Sequence, residues 1–200
     1  MPETITFEGR SVYAVCPEEY DEMVAELERL RAAQPAVPGG DHHKLDNDRQ
    51  VFFYEQDFYV LSNFSAFGLR WNGRWFQTSE HAYHFEKFVT TNFHIALQVL
   101  NARSAHDAFK IAERFKGERR YDWDYVKVGI MREILRAKAE QHEYVRRKLL
   151  ATGDRELIED SWRDDFWGWG PNRDGQNMLG NLWMEVRAEL LAASQRKEGA

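Results

Sequence analysis

The stretch QTSEHAYHFEKF, residues 77–88, brings two histidines, two glutamates and a lysine together. On a helix, His81 and His84 would share one face, and Glu80 lies four residues before His84. Zinc is the first explanation to test, because it needs three or four ligands at a recognisable spacing. The chain has no His-Glu-x-x-His motif and no second cluster of cysteine or histidine, and His42-His43 lies in a stretch without periodicity. We therefore predict no metal and no cofactor.

Helix capping is the second explanation for this stretch. Thr78 or Ser79 can cap a helix, and a carboxylate at Glu80 in the first turn complements the helix dipole. The histidines would then be a partly exposed pair or imidazoles satisfied within the core. An ionised Glu80 in this position is also suited to stabilising positive charge or to activating water.

A third explanation, an active site, depends on the distant segment SWRDDFWGWGPNRDGQNMLG, residues 161–180. Its glycines predict an irregular loop, and its tryptophans alternate with Asp164 and Asp165. An acid beside indole walls and closely approaching backbone suits a pocket for a flat ring on a sugar. The alternative is a surface loop anchored by tryptophans. Two carboxylates from distant segments, such as Glu80 and one of these acids, are the groups that glycosidic hydrolysis uses.

A local group of basic residues could hold a phosphate near these acids. The segment GERRYDWDYVK contributes Arg119, Arg120 and Lys127, and Lys87 could add a further positive charge. Arginine binds phosphate through paired hydrogen bonds, whereas lysine acts as a point charge. The alternative is an ordinary solvated basic face.

Bulk properties restrict the class of protein. The chain has 200 residues, of which 43% are hydrophobic, and a formal net charge of −6, which argues against a general nucleic-acid coat. Cys16 is the only cysteine, so a reducing compartment is the simpler expectation. Neither a secretory signal nor a membrane-spanning apolar run is visible. We expect a soluble, cytoplasmic protein with no membrane partner; its oligomeric state stays open.

The chain pattern predicts an N-terminal extension over 1–49 and a catalytic domain over 50–194. The extension has a helix over 16–34 and a linker over 35–49, and strands follow from residue 50 with a hairpin at Asn72-Gly73. Helices are then predicted after Thr78, over 105–115, as one helix from Asp122 to Gly153, as a short helix within GDRELIED, and over 182–194. The predicted class is α+β, a mostly helical single domain packed around a small antiparallel sheet.

The ordered segments FYEQ, LSNFSAF, NGRWFQTSEH, RYDWDYVK and LLATGDRELIE, followed by WGWG and NMLG, resemble the NADAR family, also called YbiA-like proteins. The resemblance covers residues 52 to 190. It implies a mostly helical α+β fold and a metal-independent N-glycosidase activity. Members of that family remove ADP-ribose from modified guanine in nucleic acid, and others hydrolyse a phosphorylated ribosylaminopyrimidine of riboflavin biosynthesis. The implied partners are a phosphorylated nucleoside-like or ADP-ribosyl substrate, including ADP-ribosylated DNA or RNA.

The resemblance also implies site residues. Glu80 and Asp164 are the catalytic carboxylates, Glu80 as stabiliser or water-orienting base and Asp164 as the group that positions water or sugar hydroxyls. The predicted substrate-binding residues are Asn63, Lys87, Arg120, Trp123, Trp167, Gly168, Asn177 and Gly180. Within this set the tryptophans would stack on a ring, the cations would meet phosphate, and the asparagines would bind sugar or base.

The chain departs from the family pattern at three positions. Leu61 stands where the family often has phenylalanine, and His84 and Glu86 replace common glutamines, which bears on base recognition. Two other classes of function stay open from the sequence. One is a module that binds ADP-ribose or NAD without cleaving it, and the other is an interaction protein that acts through the helix at 17–33.

Overall fold

The computed structural model describes residues 3–7, 10–14, 45–54 and 56–198, and the chain divides into the units Met1–Asp41 and His42–Ala200. In the first unit, strand β1 (Glu3–Phe7) pairs antiparallel with strand β2 (Arg10–Ala14). The sequence did not lead us to expect this pair. The predicted helix at 16–34 and residues 35–44 of the predicted linker lie outside the described residues.

The described part of the second unit contains six α-helices. They are α1 (Ser79–Glu86), α2 (Phe93–Leu100), α3 (Ala105–Arg114), α4 (Trp123–Gln141), α5 (Glu143–Leu150) and α6 (Met178–Glu198). Two 3₁₀ segments, Gln56–Leu61 and Lys116–Glu118, connect them with the strands. No described helix is both long and apolar enough to cross a membrane.

The strands that the structure describes in the second unit form two separate pairs. Strand β4 (Leu69–Trp71) and strand β5 (Arg74–Phe76) make the predicted hairpin, with Asn72 at φ 47° and Gly73 at φ 74° in its turn. Strand β3 (Gln50–Phe53) pairs in parallel with strand β6 (Glu156–Glu159). The predicted α+β class is therefore confirmed, and the parallel β3–β6 pair is a feature that the predicted antiparallel sheet did not include.

Two predicted helices differ from the structure. The segment GDRELIED was predicted to begin a helix, but it contains β6, because Leu157 and Ile158 are buried and pair with β3. The single helix predicted from Asp122 to Gly153 is two helices, since His142 between α4 and α5 has the extended angles φ −125° and ψ 105°.

Helix α1 is the element on which the site depends. All eight of its residues are buried, and it packs against α2, α3, α4 and β5. A buried helix that carries glutamates and histidines needs partners for most of its polar groups, because an unpaired buried polar group costs about 1–3 kcal/mol. The elements that pack against α1 therefore determine which partners its polar groups have.

Candidate active site

The start of α1 confirms the capping explanation for part of the opening stretch. Thr78 is the N-cap: its Oγ1 accepts the backbone N–H of His81 and lies 2.8 Å from Nδ1 of the same histidine. Nε2 of His81 lies 3.2 Å from the carbonyl oxygen of Ala102, and burial lowers the pKa of this imidazole. A neutral His81 that donates to Ala102 and accepts from Thr78 satisfies the ring. His81 is thus a structural histidine.

His84 has a different partner. Its Nε2 lies 2.7 Å from Oε1 of Glu80, one helical turn earlier, and both side chains are buried. Burial lowers the pKa of His84, against the raising influence of the Glu80 carboxylate. A neutral imidazole therefore donates its Nε2–H to Glu80. Nδ1 of His84 has no hydrogen-bond partner within the described ranges.

A cavity of about 420 Å³ opens over this pair, a volume in the range of small-molecule binding sites. Its lining contains five of the predicted site residues from three separate segments: Asn63, Glu80, Lys87, Asp164 and Trp167. The lining also contains residues that the sequence analysis did not assign to the site: Tyr54, Phe64, Tyr83, His84, His106, Phe109, Glu113, Met131, Glu159, Ser161, Arg163 and Leu179.

Asp164 is held by the loop that follows it. Its Oδ1 accepts the backbone N–H of Phe166 at 2.9 Å and that of Trp167 at 2.8 Å. The loop is fixed in turn by backbone hydrogen bonds to the start of α6, including Leu179 N–H to the Trp167 carbonyl at 3.0 Å. The indole of Trp167 meets the ring of Tyr83 edge to face at 5.4 Å. Asp164 and Trp167 therefore enter the cavity as one rigid turn.

Lys87 supplies a buried cation. Its Nζ lies 5.2 Å from the ring centroid of Tyr83 and 5.6 Å from that of Trp123. Burial lowers the pKa of Lys87 to about 8, against the raising influence of Glu80. The ammonium form therefore dominates at neutral pH, where an aromatic surface and a nearby carboxylate stabilise it.

Asn63 is tied to α1 through its backbone. Its carbonyl oxygen accepts the N–H of Glu80 at 3.1 Å, and its Nδ2 lies 3.4 Å from the sulfur of Met131. Its Oδ1 is buried and finds no partner among the residues that the structure describes. A buried carbonyl oxygen on the wall of a cavity is a natural acceptor for a ligand hydroxyl or amine.

Glu159, at the end of β6, is a further carboxyl group in the lining that the sequence analysis missed. Burial raises its pKa well above the ordinary range, the negative charges of Glu80 and Asp164 raise it further, and Lys138 opposes them. The signal available in the sequence was the pattern Glu-Leu-Ile-Glu, two acids around an apolar pair, which fits a buried strand with an acid at its end. We had assigned that stretch to a helix.

Two of the predicted substrate-binding residues lie outside the cavity lining in the middle of the chain. The guanidinium of Arg120 binds the Asp122 carboxylate at 2.6 and 2.8 Å, which also explains why Asp122, at the N-cap position of α4, makes no capping bond. Trp123 is buried with its ring 4.9 Å from that of Tyr83. Arg120 also donates its backbone N–H to the Lys87 carbonyl at 2.8 Å. In the structure these two residues contact Lys87 and Tyr83, and their contact with a substrate stays a prediction.

Three more predicted residues, Gly168, Asn177 and Gly180, also lie outside the lining. Asn177 accepts the backbone N–H of Glu159 at 2.9 Å and donates to the Leu157 carbonyl at 2.8 Å. A Cβ on Gly180 would stand 2.0 Å from that same carbonyl, and one on Gly168 would stand 2.8 Å from the Glu159 carbonyl. These residues connect β6, the loop that contains Gly168 and the start of α6. They therefore support the site and do not line the cavity.

Of the residues that depart from the family pattern, His84 lines the cavity, whereas Glu86 does not. Burial raises the pKa of Glu86, and Asn72, Arg120 and Arg74 oppose that effect from the outer side of α1. Among the described residues, no group of three or more histidine, cysteine, aspartate or glutamate side chains is arranged to hold a metal ion.

A ligand-sized cavity lined by carboxyl groups from separate segments, aromatic rings and a lysine is typical of an enzyme active site. Residues 52–191 match the model of the NADAR domain. The chain belongs to the NADAR domain family.

Known proteins resemble the chain over most of its length. An N-glycosidase from Nostoc punctiforme is 36% identical over 143 residues, which cover 70% of this chain and 92% of that protein. A riboflavin biosynthesis protein from Vibrio vulnificus is 37% identical over 145 residues, 72% of this chain but 39% of that longer protein. The NMR structure of Escherichia coli YbiA superposes with a TM-score of 0.68 at 33% identity, covering 76% of this chain and 90% of that one. The Escherichia coli protein is named an N-glycosidase, and we assign this chain to the same enzyme class.

Proposed function

We propose that this protein hydrolyses the N-glycosidic bond between a base and a phosphorylated ribose or ADP-ribose. The observation that carries the proposal is the buried Glu80 carboxylate, oriented by His84 inside a cavity that Asp164 enters from a distant loop. Cleavage of such a bond passes through an oxocarbenium-like state in which positive charge develops on the sugar ring. A fixed carboxylate stabilises that charge more effectively than one that must reorient.

The roles of the two carboxylates follow from their surroundings. Glu80 is held by one hydrogen bond from His84, and it would either face the charged sugar or take a proton from the attacking water. Asp164 has Oδ1 occupied by two backbone N–H groups, so its other oxygen is the one available to water or to a sugar hydroxyl. The turn that holds Asp164 keeps this oxygen at a constant position.

The remaining lining residues fit the parts of the substrate. Tyr83 and Trp167 offer aromatic surface for a base, where one good stack contributes about 1–3 kcal/mol. Lys87 would bind a phosphate, and the unpaired oxygen of Asn63 would accept from a hydroxyl or an amine. At the exposed side of the lining, the guanidinium of Arg163 lies 4.3 Å from the ring centroid of Trp162.

Our first candidate substrate is ADP-ribose attached to guanine in nucleic acid. The exposed pair of Trp162 and Arg163 supports it, because a stacking surface with a cation suits the nucleic acid that would continue beyond the cavity. The second candidate is a phosphorylated ribosylaminopyrimidine, which the names of the Vibrio vulnificus protein and of a chloroplastic riboflavin biosynthesis protein from maize support. The chemistry at C1′ is the same for both.

The test is a turnover assay read by mass spectrometry, with EDTA present and with the wild type beside Glu80→Gln. The substrates are an ADP-ribosylated guanine oligonucleotide, the free ribosylaminopyrimidine phosphate, and NAD. We expect the wild type to release a free base or unmodified DNA, and Glu80→Gln to lose at least about 100-fold in rate. The substrate that the wild type prefers shows which of the two candidate substrates is correct.

A matched control is Glu140→Gln, which changes an exposed glutamate of α4 far from the lining and should keep the wild-type rate. If the wild type cleaves none of these substrates while both the wild type and Glu80→Gln bind ADP-ribose tightly, the proposal fails. The protein would then be a binding module.

A further inference from the structure

The chemistry proposed above leaves Glu113 and Glu159 of the cavity without a role, and Glu159 is the more deeply buried. Glu159 lines the cavity at the end of β6, yet its Oε2 is buried and has no hydrogen-bond partner in the part of the chain that the structure describes. Asn177 holds the backbone of Glu159 by accepting its N–H at 2.9 Å, and the Glu159 carbonyl accepts from Trp169 at 3.2 Å. A buried carboxyl group with an unpaired oxygen is costly unless it is neutral or serves a ligand.

Burial and the charged groups around Glu159 favour its neutral form. Burial is the largest influence that raises its pKa, and negative charge from Glu80 on α1 and from Asp164 and Asp160 in the loop adds to it. Lys138 on α4 opposes them, but its ammonium group donates to the Ser62 carbonyl at 2.9 Å and to Ser65 Oγ at 2.7 Å. Lys138 therefore binds the loop on either side of Asn63. Its ammonium group makes no hydrogen bond to Glu159 in the part of the chain that the structure describes.

Two carboxyl groups that share a cavity but differ in protonation divide the work of acid and base between them. Glu80 accepts a hydrogen bond from His84, which fixes the position of its carboxyl group. Glu159 has neighbours that favour its neutral form. An adenine-like, guanine-like or pyrimidine base leaves more readily when its nitrogen is protonated as the bond breaks.

We propose that Glu159 is the general acid of this site and delivers its proton to the departing base. This inference rests on the proposed function. The C1′–N bond breaks with its electron pair on the base nitrogen, and that nitrogen takes the proton of Glu159. Water adds to C1′ and loses a proton to Glu80. Glu80 then releases this proton to solvent, and Glu159 takes up a proton from solvent. Both groups return to their starting state.

Two other lining residues could donate a proton, and they predict different behaviour. Lys87 has a pKa lowered to about 8 by burial, so an ammonium donor would also lose activity at alkaline pH. Burial raises the pKa of Tyr83, so a phenol donor would stay protonated throughout the range of an ordinary assay. The pH profiles of the wild type and of variants at Glu159 and Lys87 separate the three donors.

The experiment measures kcat from pH 5 to pH 10 on the substrate that the wild type cleaves, for the wild type, Glu159→Gln, Glu159→Asp, Lys87→Met and the exposed control Glu140→Gln. Because the acid acts in its protonated form, wild-type kcat should fall as pH rises through the pKa of Glu159. In Glu159→Gln we expect kcat to drop by about 10²–10⁴-fold and this alkaline fall to disappear. Binding of the product, ribose 5-phosphate or ADP-ribose, should stay near that of the wild type.

Glu159→Asp keeps a proton on a shorter side chain, so it should retain the alkaline fall at a reduced rate. This variant also preserves the test if Glu159→Gln does not fold, a property checked by thermal unfolding. The proposal is overturned if Glu159→Gln keeps the alkaline fall, if it changes KM alone, or if Lys87→Met is the variant that abolishes the fall. A wild type without turnover refutes the proposed function itself, which is a separate result.

Discussion

Nε2 of His84 donates a hydrogen bond to Oε1 of Glu80 over 2.7 Å, between two side chains that are both buried in α1. Their spacing of one helical turn fixes the direction of the carboxylate, because the helix backbone is rigid and both rotamers are confined by packing. A hydrogen bond to a charged acceptor is about twice as strong as a neutral one. His84 is therefore a positioning residue for the carboxylate that we propose to act on the sugar.

Replacement of His84 tests this positioning role. We expect His84→Phe to lower kcat by about 10–100-fold with little change in KM, because a hydrogen bond to a charged group contributes about 1.5–3 kcal/mol. His84→Gln keeps an N–H donor at the same position and should retain more activity than His84→Phe. The exposed His94→Phe on α2 is the control and should behave as the wild type. Equal losses in the phenylalanine and glutamine variants would contradict the role.

Asp164 offers a way to separate charge from loop structure. Its Oδ1 accepts two backbone N–H groups, and asparagine can keep these two bonds while losing the charge. We expect Asp164→Asn and Asp164→Ala both to lose activity, and only Asp164→Ala to lower the melting temperature, since it leaves two N–H groups without their acceptor. Steady-state kinetics and thermal unfolding measure the two effects. Retained activity in Asp164→Asn would show that the charge of Asp164 has no part in the reaction.

The parts of the fold that depend on local sequence were predictable. The Asn72-Gly73 turn and the Thr78 cap follow from backbone preferences within a few residues. Strand β6 was missed because its partner, β3, is about 106 residues away, and the alternation that would reveal a strand is absent where both faces are buried. A pairing so distant in sequence leaves no local signal.

The residues of the candidate site also differ in whether local sequence could identify them. Glu80 and Asp164 could be chosen by residue type and by motif, and both line the cavity. Glu159 could not, because its place at the cavity follows from β6. Asn177 and Gly180 stand in a recognisable motif, but their contacts go to β6, which the sequence pattern cannot distinguish from contacts to a substrate.

Gly180 and Gly129 form a matched pair for testing the packing beneath the site. A Cβ at Gly180 would stand 2.0 Å from the Leu157 carbonyl and 2.6 Å from Oδ1 of Asn177, whereas a Cβ at Gly129 meets no atom within 4 Å. We expect Gly180→Ala to destabilise the fold by about 1–3 kcal/mol or more, because backbone must shift. Gly129→Ala, on the exposed face of α4, should stabilise it by about 0.5–1 kcal/mol through helix propensity. Urea denaturation measures both effects. Stabilisation by Gly180→Ala together with destabilisation by Gly129→Ala would refute the packing described.

Lys138 should give the stability of the fold a characteristic dependence on pH. Burial lowers its pKa to about 7, whereas the unfolded chain holds the proton up to about 10.5. Between these values the unfolded state binds more protons than the folded state, so the free energy of unfolding must rise with pH in this window. Below about pH 7 both states are protonated and the contribution is constant at its lowest value.

The measurement compares the wild type with Lys138→Met by urea denaturation from pH 6 to pH 10. Loss of the bonds to Ser62 and Ser65 destabilises the variant by a similar amount at each pH, so the slope isolates the titration. The wild type should gain roughly 2 kcal/mol relative to the variant between pH 7 and pH 9, since one pKa unit corresponds to about 1.4 kcal/mol. Repeating the pair in a Glu159→Gln background removes the titration of that neighbour, and the exposed Lys110→Met should show no such slope. A difference that stays flat with pH would mean that Lys138 keeps its ordinary charge in the folded protein.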